Sequence, residues 1–229
     1  MVALPRDSDD SLEEEERGHR SQLVDNEELK LVVESDPFTT TREVAQSGFF
    51  NYILTSDEKW IFFDNAVGKR QWLSPSAVCM GEQLGTGAQT GADVLDVGQT
   101  VIAEVYAQQL TRVDQALRRQ GVNPANVRLL HGNARSHVAN ITQQKIEELG
   151  WQVLPYAPYS PDLAPSDYHL FRSMQHFLAG KKFKNRDDVR IWVSKFFESK
   201  PKEFFDGGIH ALRRKWRRVI DTDGEYILD

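Results

Sequence analysis

The sequence predicts an α/β fold, and three of its features support this. An apolar run at 127–131, an amphipathic pattern at 138–149 and another apolar run at 152–154 form a strand–helix–strand unit. A proline-stiffened loop at 159–165 then leads into a helical pattern, and such loops after strands are usual places for catalytic groups. The chain has 229 residues, 40% of them hydrophobic, which is enough to bury one good-sized core.

The first 20 residues are predicted to be a disordered acidic tail. Residues 1–17 hold seven acidic and two basic residues, and this block accounts for nearly all of the chain's net charge of −6. Charge blocks of this kind are usually solvated and unfolded. The remainder of the chain is therefore close to neutral.

Residues 21–47 are predicted to be a partial helix-turn-helix. Asp25 is a candidate N-cap for a helix to residue 35, and the capping box Thr40-Thr-Arg-Glu43 opens a second short helix. A recognition helix that reads bases should follow, but 47–54 has the aromatic and β-branched pattern of a strand. Residues 48–229 are therefore interpreted as a separate α/β domain, joined to the first part at an internal deletion.

The central sheet is predicted to be incomplete. A first strand is expected over 52–63, but the next segment, 79–92, contains four glycines and few apolar residues. Glycine weakens strand interiors, so we predict a loop there, with an exposed sheet edge and marginal stability as the result. Further helices are predicted at 103–119, 189–197 and 209–220 from their apolar spacing.

Three motifs carry a family resemblance. They are TSDEKWIFFDN at 55–65, LLHGNARSH at 129–137 and YSPDLAPSDYH at 159–169. In this order they resemble the catalytic domain of mariner-type transposases of the Tc1/mariner superfamily. The similarity runs from about residue 53 to the C-terminus, except near 79–95. It implies an RNase H-like (retroviral-integrase-like) fold and cut-and-paste transposition, in which three carboxylates hold two Mg²⁺ (or Mn²⁺) ions for DNA cleavage and strand transfer.

The resemblance assigns the first carboxylate to Asp57 and the third to Asp167. The second should lie at position 132, where this chain has Gly132. Glycine has no side chain to bind a metal ion, so the catalytic triad is degenerate and metal binding and cleavage are expected to be weakened. Whether the chain is an enzyme stays open; the alternative is a non-catalytic transposon remnant that binds DNA weakly.

The residues alone allow other interpretations of these motifs. Asp57 and Glu58 are adjacent on a strand, so only one can face the site. Asp162 is interpreted as a loop-stabilising residue, and Ser166 is a candidate helix N-cap. A zinc cluster of histidines is disfavoured because their spacing places them on no common helical face; the three are His131, His137 and His169.

The expected partner is DNA, bound without sequence specificity. Five basic residues can neutralise phosphates, although a solvated helix face explains 213–218 equally well; the five are Lys181, Lys182, Arg213, Arg214 and Arg217. The family implies a homodimer and a nuclear location.

One cysteine, Cys79, allows no internal disulfide, and no apolar run is long enough to cross a membrane. Some transposase-derived domains are fused to a SET-type methyltransferase, but no SET-like segment is found, so methylation is not expected.

Overall fold

The structure, a computed structural model, describes residues 50–65, 77–84, 89–95, 99–155 and 157–227. The predicted acidic tail at 1–20 and the partial helix-turn-helix at 21–47 lie outside these residues. The side chains of 77–93 are also outside the description, so for this segment only the backbone is considered.

A five-stranded sheet forms the centre of the molecule, in the order β3-β2-β1-β4-β5. Its strands are β1 (Ile53–Ile61), β2 (Ala77–Leu84), β3 (Gln89–Val94), β4 (Arg128–His131) and β5 (Gln152–Val153). The first three strands are antiparallel, whereas β1, β4 and β5 run parallel to one another. The predicted α/β class is therefore confirmed.

The predicted loop at 79–92 is wrong, because this segment forms the hairpin of β2 and β3. Two of its four glycines, Gly81 and Gly91, lie within the strands, where Gly81 pairs with Asp57 on one side and Ala92 on the other. Ladder hydrogen bonds come from the backbone, so a strand flanked on both sides can form despite a weak glycine propensity. The expected gap in the sheet is therefore absent from the described residues.

The helices pack on the two faces of this sheet. They are α1 (Ala103–Arg119), α2 (Arg135–Val138), α3 (Asn140–Leu149), α4 (Arg172–Leu178), α5 (Arg186–Glu198) and α6 (Lys202–Asp221). Short 3-10 turns occur at Phe50–Tyr52, Pro124–Asn126 and Pro161–Leu163, and a π-helical turn at Ser166–Phe171 runs directly into α4. The predicted helix at 103–119 has the observed bounds. The predicted helix at 138–149 is divided in two at Ala139, which has extended backbone angles.

Alternation along β1 sends successive side chains to different faces. Ile53 packs in a buried cluster with Trp216 of α6, whereas Leu54 packs in another with Tyr106 of α1. A third cluster, around Ile61, joins the far end of β1 to α4 and α5. Since side chains alternate along a strand, odd-numbered residues of β1 face α6 and even-numbered residues face α1. In the part of the chain that the structure describes, no helix combines the length and the apolar character needed to span a bilayer.

Candidate active site

Asp57 lies on the α6 face of β1, two residues after Thr55. The buried Thr55 Oγ1 donates a hydrogen bond to Ser166 Oγ over 3.3 Å, which joins β1 to the start of the π-helical turn. Ser166 therefore does not cap the helix, as the sequence had suggested, but fastens it to the sheet. This contact places Asp167, the next residue, beside Asp57.

The carboxyl groups of Asp57 and Asp167 lie within hydrogen-bonding reach of each other. These two side chains therefore lie close together, although their residues are 110 positions apart in the sequence. Asp167 lies in the first turn of a π-helical segment, a distortion that is frequent at functional sites. The Glu58 backbone N–H also donates to Asp57 Oδ1 over 2.8 Å, which fixes the orientation of that carboxyl.

Burial dominates the electrostatics of this pair. It raises the pKa of Asp57 to about 8, with a further contribution from the neighbouring charge of Asp167. Burial also raises the pKa of Asp167, whereas the hydrogen bond from Asp57 and the nearby charge of Lys59 both lower it. The raised pKa values of both groups favour a proton held between the two carboxyls near neutral pH.

Position 132 lies next to this pair. In the parallel register of β1 and β4, Ser56 is opposite His131, so the following residues, Asp57 and Gly132, are neighbours across the sheet. Leu130 packs on the α6 face, and Gly132 follows directly after the last residue of β4. A Cβ atom at Gly132 would meet only His137 Nδ1 within 4 Å, at 3.9 Å, which is an ordinary contact. The site therefore has room for a side chain at this position.

Glu58 faces the other side of β1, as strand alternation requires. Its Oε1 atom lies 2.8 Å from Nε2 of the buried His137, and Nδ1 of the same ring lies 2.9 Å from the Gly132 carbonyl oxygen. His137 also stacks on His131, whose pKa burial and the neighbouring His137 lower to about 3. His131 is thus neutral at physiological pH.

Comparisons with known proteins agree with the family resemblance that the motifs carry. The chain is 37% identical over 200 residues to the mariner Mos1 transposase of Drosophila mauritiana, covering 80% of this chain and 58% of that protein. The crystal structure of the Mos1 catalytic domain matches with a TM-score of 0.73 and 35% identity, covering 89% of this chain and 93% of that one. The chain belongs to the mariner transposase family. The RNase H-like fold that the motifs implied is confirmed with it. No protein-family model matches the chain.

The mariner similarity extends to a human protein with another name. Histone-lysine N-methyltransferase SETMAR of Homo sapiens is 33% identical over 286 residues, covering 95% of this chain and 42% of that protein. The chain thus spans about half the length of the curated relatives it matches. The alignment is longer than the 229 residues of this chain, so SETMAR contains segments with no counterpart here, as an internal deletion predicts.

Mariner structures with metal ions are also similar to this chain. The Mos1 paired-end complex with Mn matches with a TM-score of 0.77 and 31% identity, covering 95% of this chain and 68% of that one. The Mos1 paired-end complex with Mg matches with a TM-score of 0.75 and 31% identity, covering 100% of this chain and 69% of that one. A divalent metal cofactor is therefore a property of the family.

The carboxylates of this mariner chain fit one divalent ion better than two. Asp57 and Asp167 are crowded and partly buried, and a hard cation would relieve their repulsion. Within the described residues, however, no group of three or more His, Cys, Asp or Glu side chains is arranged to hold a metal. The family resemblance expects a third ligand at position 132, where Gly132 has no side chain. His169 Nε2 lies 2.7 Å from the Phe204 carbonyl oxygen.

The five basic residues predicted to contact DNA fall into two separate groups. Lys182 pairs with Asp64 just beyond the end of β1, with Nζ and Oδ2 2.9 Å apart. Arg214 and Arg217 are exposed on α6, whose Trp216 packs against Phe50 just before the start of β1. A nine-residue strand spans about 30 Å, so Lys181 and Lys182 lie far from Arg213, Arg214 and Arg217. They form two surfaces rather than one.

Sequence reasoning missed several residues around the site. Lys59 is on the same face as Asp57, and strand alternation could have identified it as a nearby cation. Tyr168 was given no role, yet its hydroxyl donates to the Gly208 carbonyl over 2.7 Å and helps join the Asp167 turn to α6. The loop role predicted for Asp162 agrees with its Oδ2 atom, which accepts from the Ile227 N–H over 2.8 Å.

Proposed function

We propose that this chain derives from a mariner transposase catalytic domain and carries a DNA strand-cleavage and transfer site impaired by Gly132. The observation that supports this most directly is the Asp57–Asp167 pair, fixed by the Thr55–Ser166 hydrogen bond. Two carboxyls with raised pKa values in one partly buried site are typical of functional positions. Position 132 is a neighbour of Asp57 across the sheet, which agrees with the three-carboxylate arrangement that the motifs imply.

In this proposal Asp57 and Asp167 hold Mg²⁺ or Mn²⁺ after losing their shared proton. When bound, the metal supplies activation of a water or 3′-hydroxyl nucleophile and stabilisation of the leaving oxygen. The chain's own contribution is to keep both carboxylates oriented, through the Glu58 N–H on Asp57 and the helical turn under Asp167. Gly132 removes one oxygen ligand and one negative charge, so a second ion close to the first is left with uncompensated repulsion.

The unmodified chain is expected to show little or no metal-dependent cleavage. The measurement is nicking of supercoiled plasmid by purified protein with Mg²⁺ or Mn²⁺, compared with the same reaction in EDTA. Losing one member of a catalytic unit commonly removes most of its rate, here about 10³-fold or more. Robust nicking that disappears in Asp57→Ala would show that Gly132 does not impair the site.

A second candidate function is weak DNA binding without catalysis. It is favoured by the exposed Arg214 and Arg217 on α6 together with Gly132 in the site. Under either candidate function, we propose from family membership that the chain binds DNA, forms a homodimer and is located in the nucleus. Recognition of specific transposon ends is not part of the proposal, because the predicted helix-turn-helix at 21–47 lacks a recognition helix.

DNA binding is expected to be weak, salt-sensitive and largely indifferent to sequence. Each phosphate contact contributes about 0.9 to the slope of log K against log salt, so Arg214→Ala should lower the magnitude of this slope by about 1. Arg119→Ala is the matched control, because Arg119 ends α1 on the opposite face of the sheet and should leave the slope unchanged. Fluorescence anisotropy at several salt concentrations measures both. A strong preference for one inverted-repeat sequence would contradict this prediction.

A further inference from the structure

The His137 ring joins two parts of the site that are distant in the sequence. It is 1% exposed and bridges the Glu58 carboxylate, 79 residues away, and the Gly132 carbonyl, five residues away. A carbonyl oxygen can only accept a hydrogen bond, so Nδ1 must be the donor to Gly132. On its other side, Nε2 lies 2.8 Å from Glu58 Oε1. The ring therefore joins β1 to the residue after β4.

Packing leaves this ring little freedom. Tyr106 lies against it with ring centroids 4.4 Å apart, and His131 stacks on it with centroids 5.1 Å apart. The backbone before it is held as well, since Thr142 Oγ1 donates to the Ser136 carbonyl over 2.6 Å. A ring fixed in this way transmits its position to the groups that it binds.

This series of hydrogen bonds begins at Asp57 and ends at the backbone of Gly132. The Glu58 N–H holds Asp57, the Glu58 side chain holds His137, and His137 holds the Gly132 carbonyl. We infer that Glu58 and His137 are positioning residues that fix the backbone at position 132 beside Asp57. This rests on the proposed metal site. The contacts that would hold the backbone of a second carboxylate residue are thus present, although Gly132 has no side chain.

Two substitutions at His137 separate its two hydrogen bonds. Asn places its side-chain N–H₂ near the position of Nδ1 and can keep the bond to Gly132, whereas Gln places it near Nε2 and can keep only the bond to Glu58. Both remove the stacked ring, so each is the control for the other. In the unmodified chain, the carbonyl ¹³C resonance of Gly132 should shift with His137→Gln and stay nearly unchanged with His137→Asn. Equal shifts in both variants would overturn the inference.

The affinity for Mn²⁺ tests whether the position of the backbone at residue 132 affects metal binding. Calorimetric titration with Mn²⁺ compares both His137 substitutions in the unmodified chain and in Gly132→Asp. In Gly132→Asp we expect His137→Gln to weaken Mn²⁺ binding about 10-fold or more, the range typical of residues that orient ligands, and His137→Asn to weaken it less than about 3-fold. In the unmodified chain we expect the two substitutions to differ from each other by less than about 3-fold, since position 132 carries no ligand.

The outcomes distinguish the two proposals. If His137→Gln weakens Mn²⁺ binding equally with and without Gly132→Asp, His137 has only a structural role and the inference is overturned. If Gly132→Asp itself fails to tighten Mn²⁺ binding, the proposed metal site is wrong, while the ¹³C shifts still decide whether His137 holds the backbone at position 132.

Discussion

Gly132→Asp is expected to tighten divalent-metal binding and to produce plasmid nicking where the unmodified chain has little. The structure provides the space, because a Cβ there has only the ordinary 3.9 Å contact with His137 Nδ1, and the sheet register makes position 132 a neighbour of Asp57. A third carboxylate adds an oxygen ligand and a negative charge between two cations. We expect a gain of about 10²-fold or more in nicking rate, measured with Mn²⁺ and with Mg²⁺.

Two control variants test whether this gain in nicking comes from a metal ligand at position 132. Adding Asp167→Ala to Gly132→Asp should abolish the new activity, since Asp167 is the partner of Asp57 in the site. Asn133→Asp changes the next residue, on the exposed loop. It adds the same charge from a different backbone position and should produce no gain in nicking. Nicking by the Asn133→Asp variant equal to that of Gly132→Asp would mean that local charge, rather than a ligand at position 132, is responsible.

Asp57→Asn is expected to stabilise the metal-free protein. Burial and the neighbouring Asp167 make the ionised Asp57 unfavourable in the folded state, and an amide keeps the shape while removing the charge. In EDTA at pH 8 we expect Tm to rise by several degrees, since about 1 kcal/mol corresponds to roughly 2–4 °C in a chain of this size. Asp221→Asn, at an exposed position at the end of α6, is the matched control and should change Tm little.

This stabilisation should depend on pH in a defined direction. The pKa of Asp57 is about 8 when folded and 3.8 as the model value for an unfolded chain, so between these values the folded state holds the extra proton. Its contribution to stability is therefore complete below pH 4 and is lost as pH rises towards 8. His131 acts oppositely, because its pKa falls from 6.5 to about 3 and it adds stability as pH rises through that window.

The clearest test therefore lies between pH 6.5 and 8, where only Asp57 of these two groups titrates. The Tm difference between Asp57→Asn and the unmodified chain should widen across this range in EDTA. Saturating Mn²⁺ should raise the Tm of the unmodified chain and narrow the difference, because only the carboxylate binds the ion well. A constant difference across this pH range would show that Asp57 is not the group with the raised pKa.

Much of the fold was predictable because its signals are local. The helix at 103–119 follows from apolar spacing alone, and the parallel pair β4–β5 follows from two apolar runs joined by an amphipathic segment. The hairpin β2–β3 was not predictable, because its glycines lower the local strand propensity while the ladder from β1 supplies the stabilisation. The partner strand β1 lies outside the short sequence window from which strand propensity is read.

For the site, the sequence by itself determined the candidate residues. The three motifs predict Asp57 and Asp167 as metal ligands, and Gly132 stands at the position where the family resemblance expects a third carboxylate. Such identities are carried by the residues themselves and need no coordinates.

Only the tertiary structure decided how those residues are held. It showed that Thr55 and Ser166 fasten the Asp167 turn to β1, and that Glu58 reaches through His137 to the Gly132 carbonyl. It also separated the basic residues into two surfaces, which charge counting had left together. Each of these contacts joins residues from different elements, and their raised or lowered pKa values depend on burial. Burial and long-range contacts are properties of the packed chain, so no local pattern could specify them.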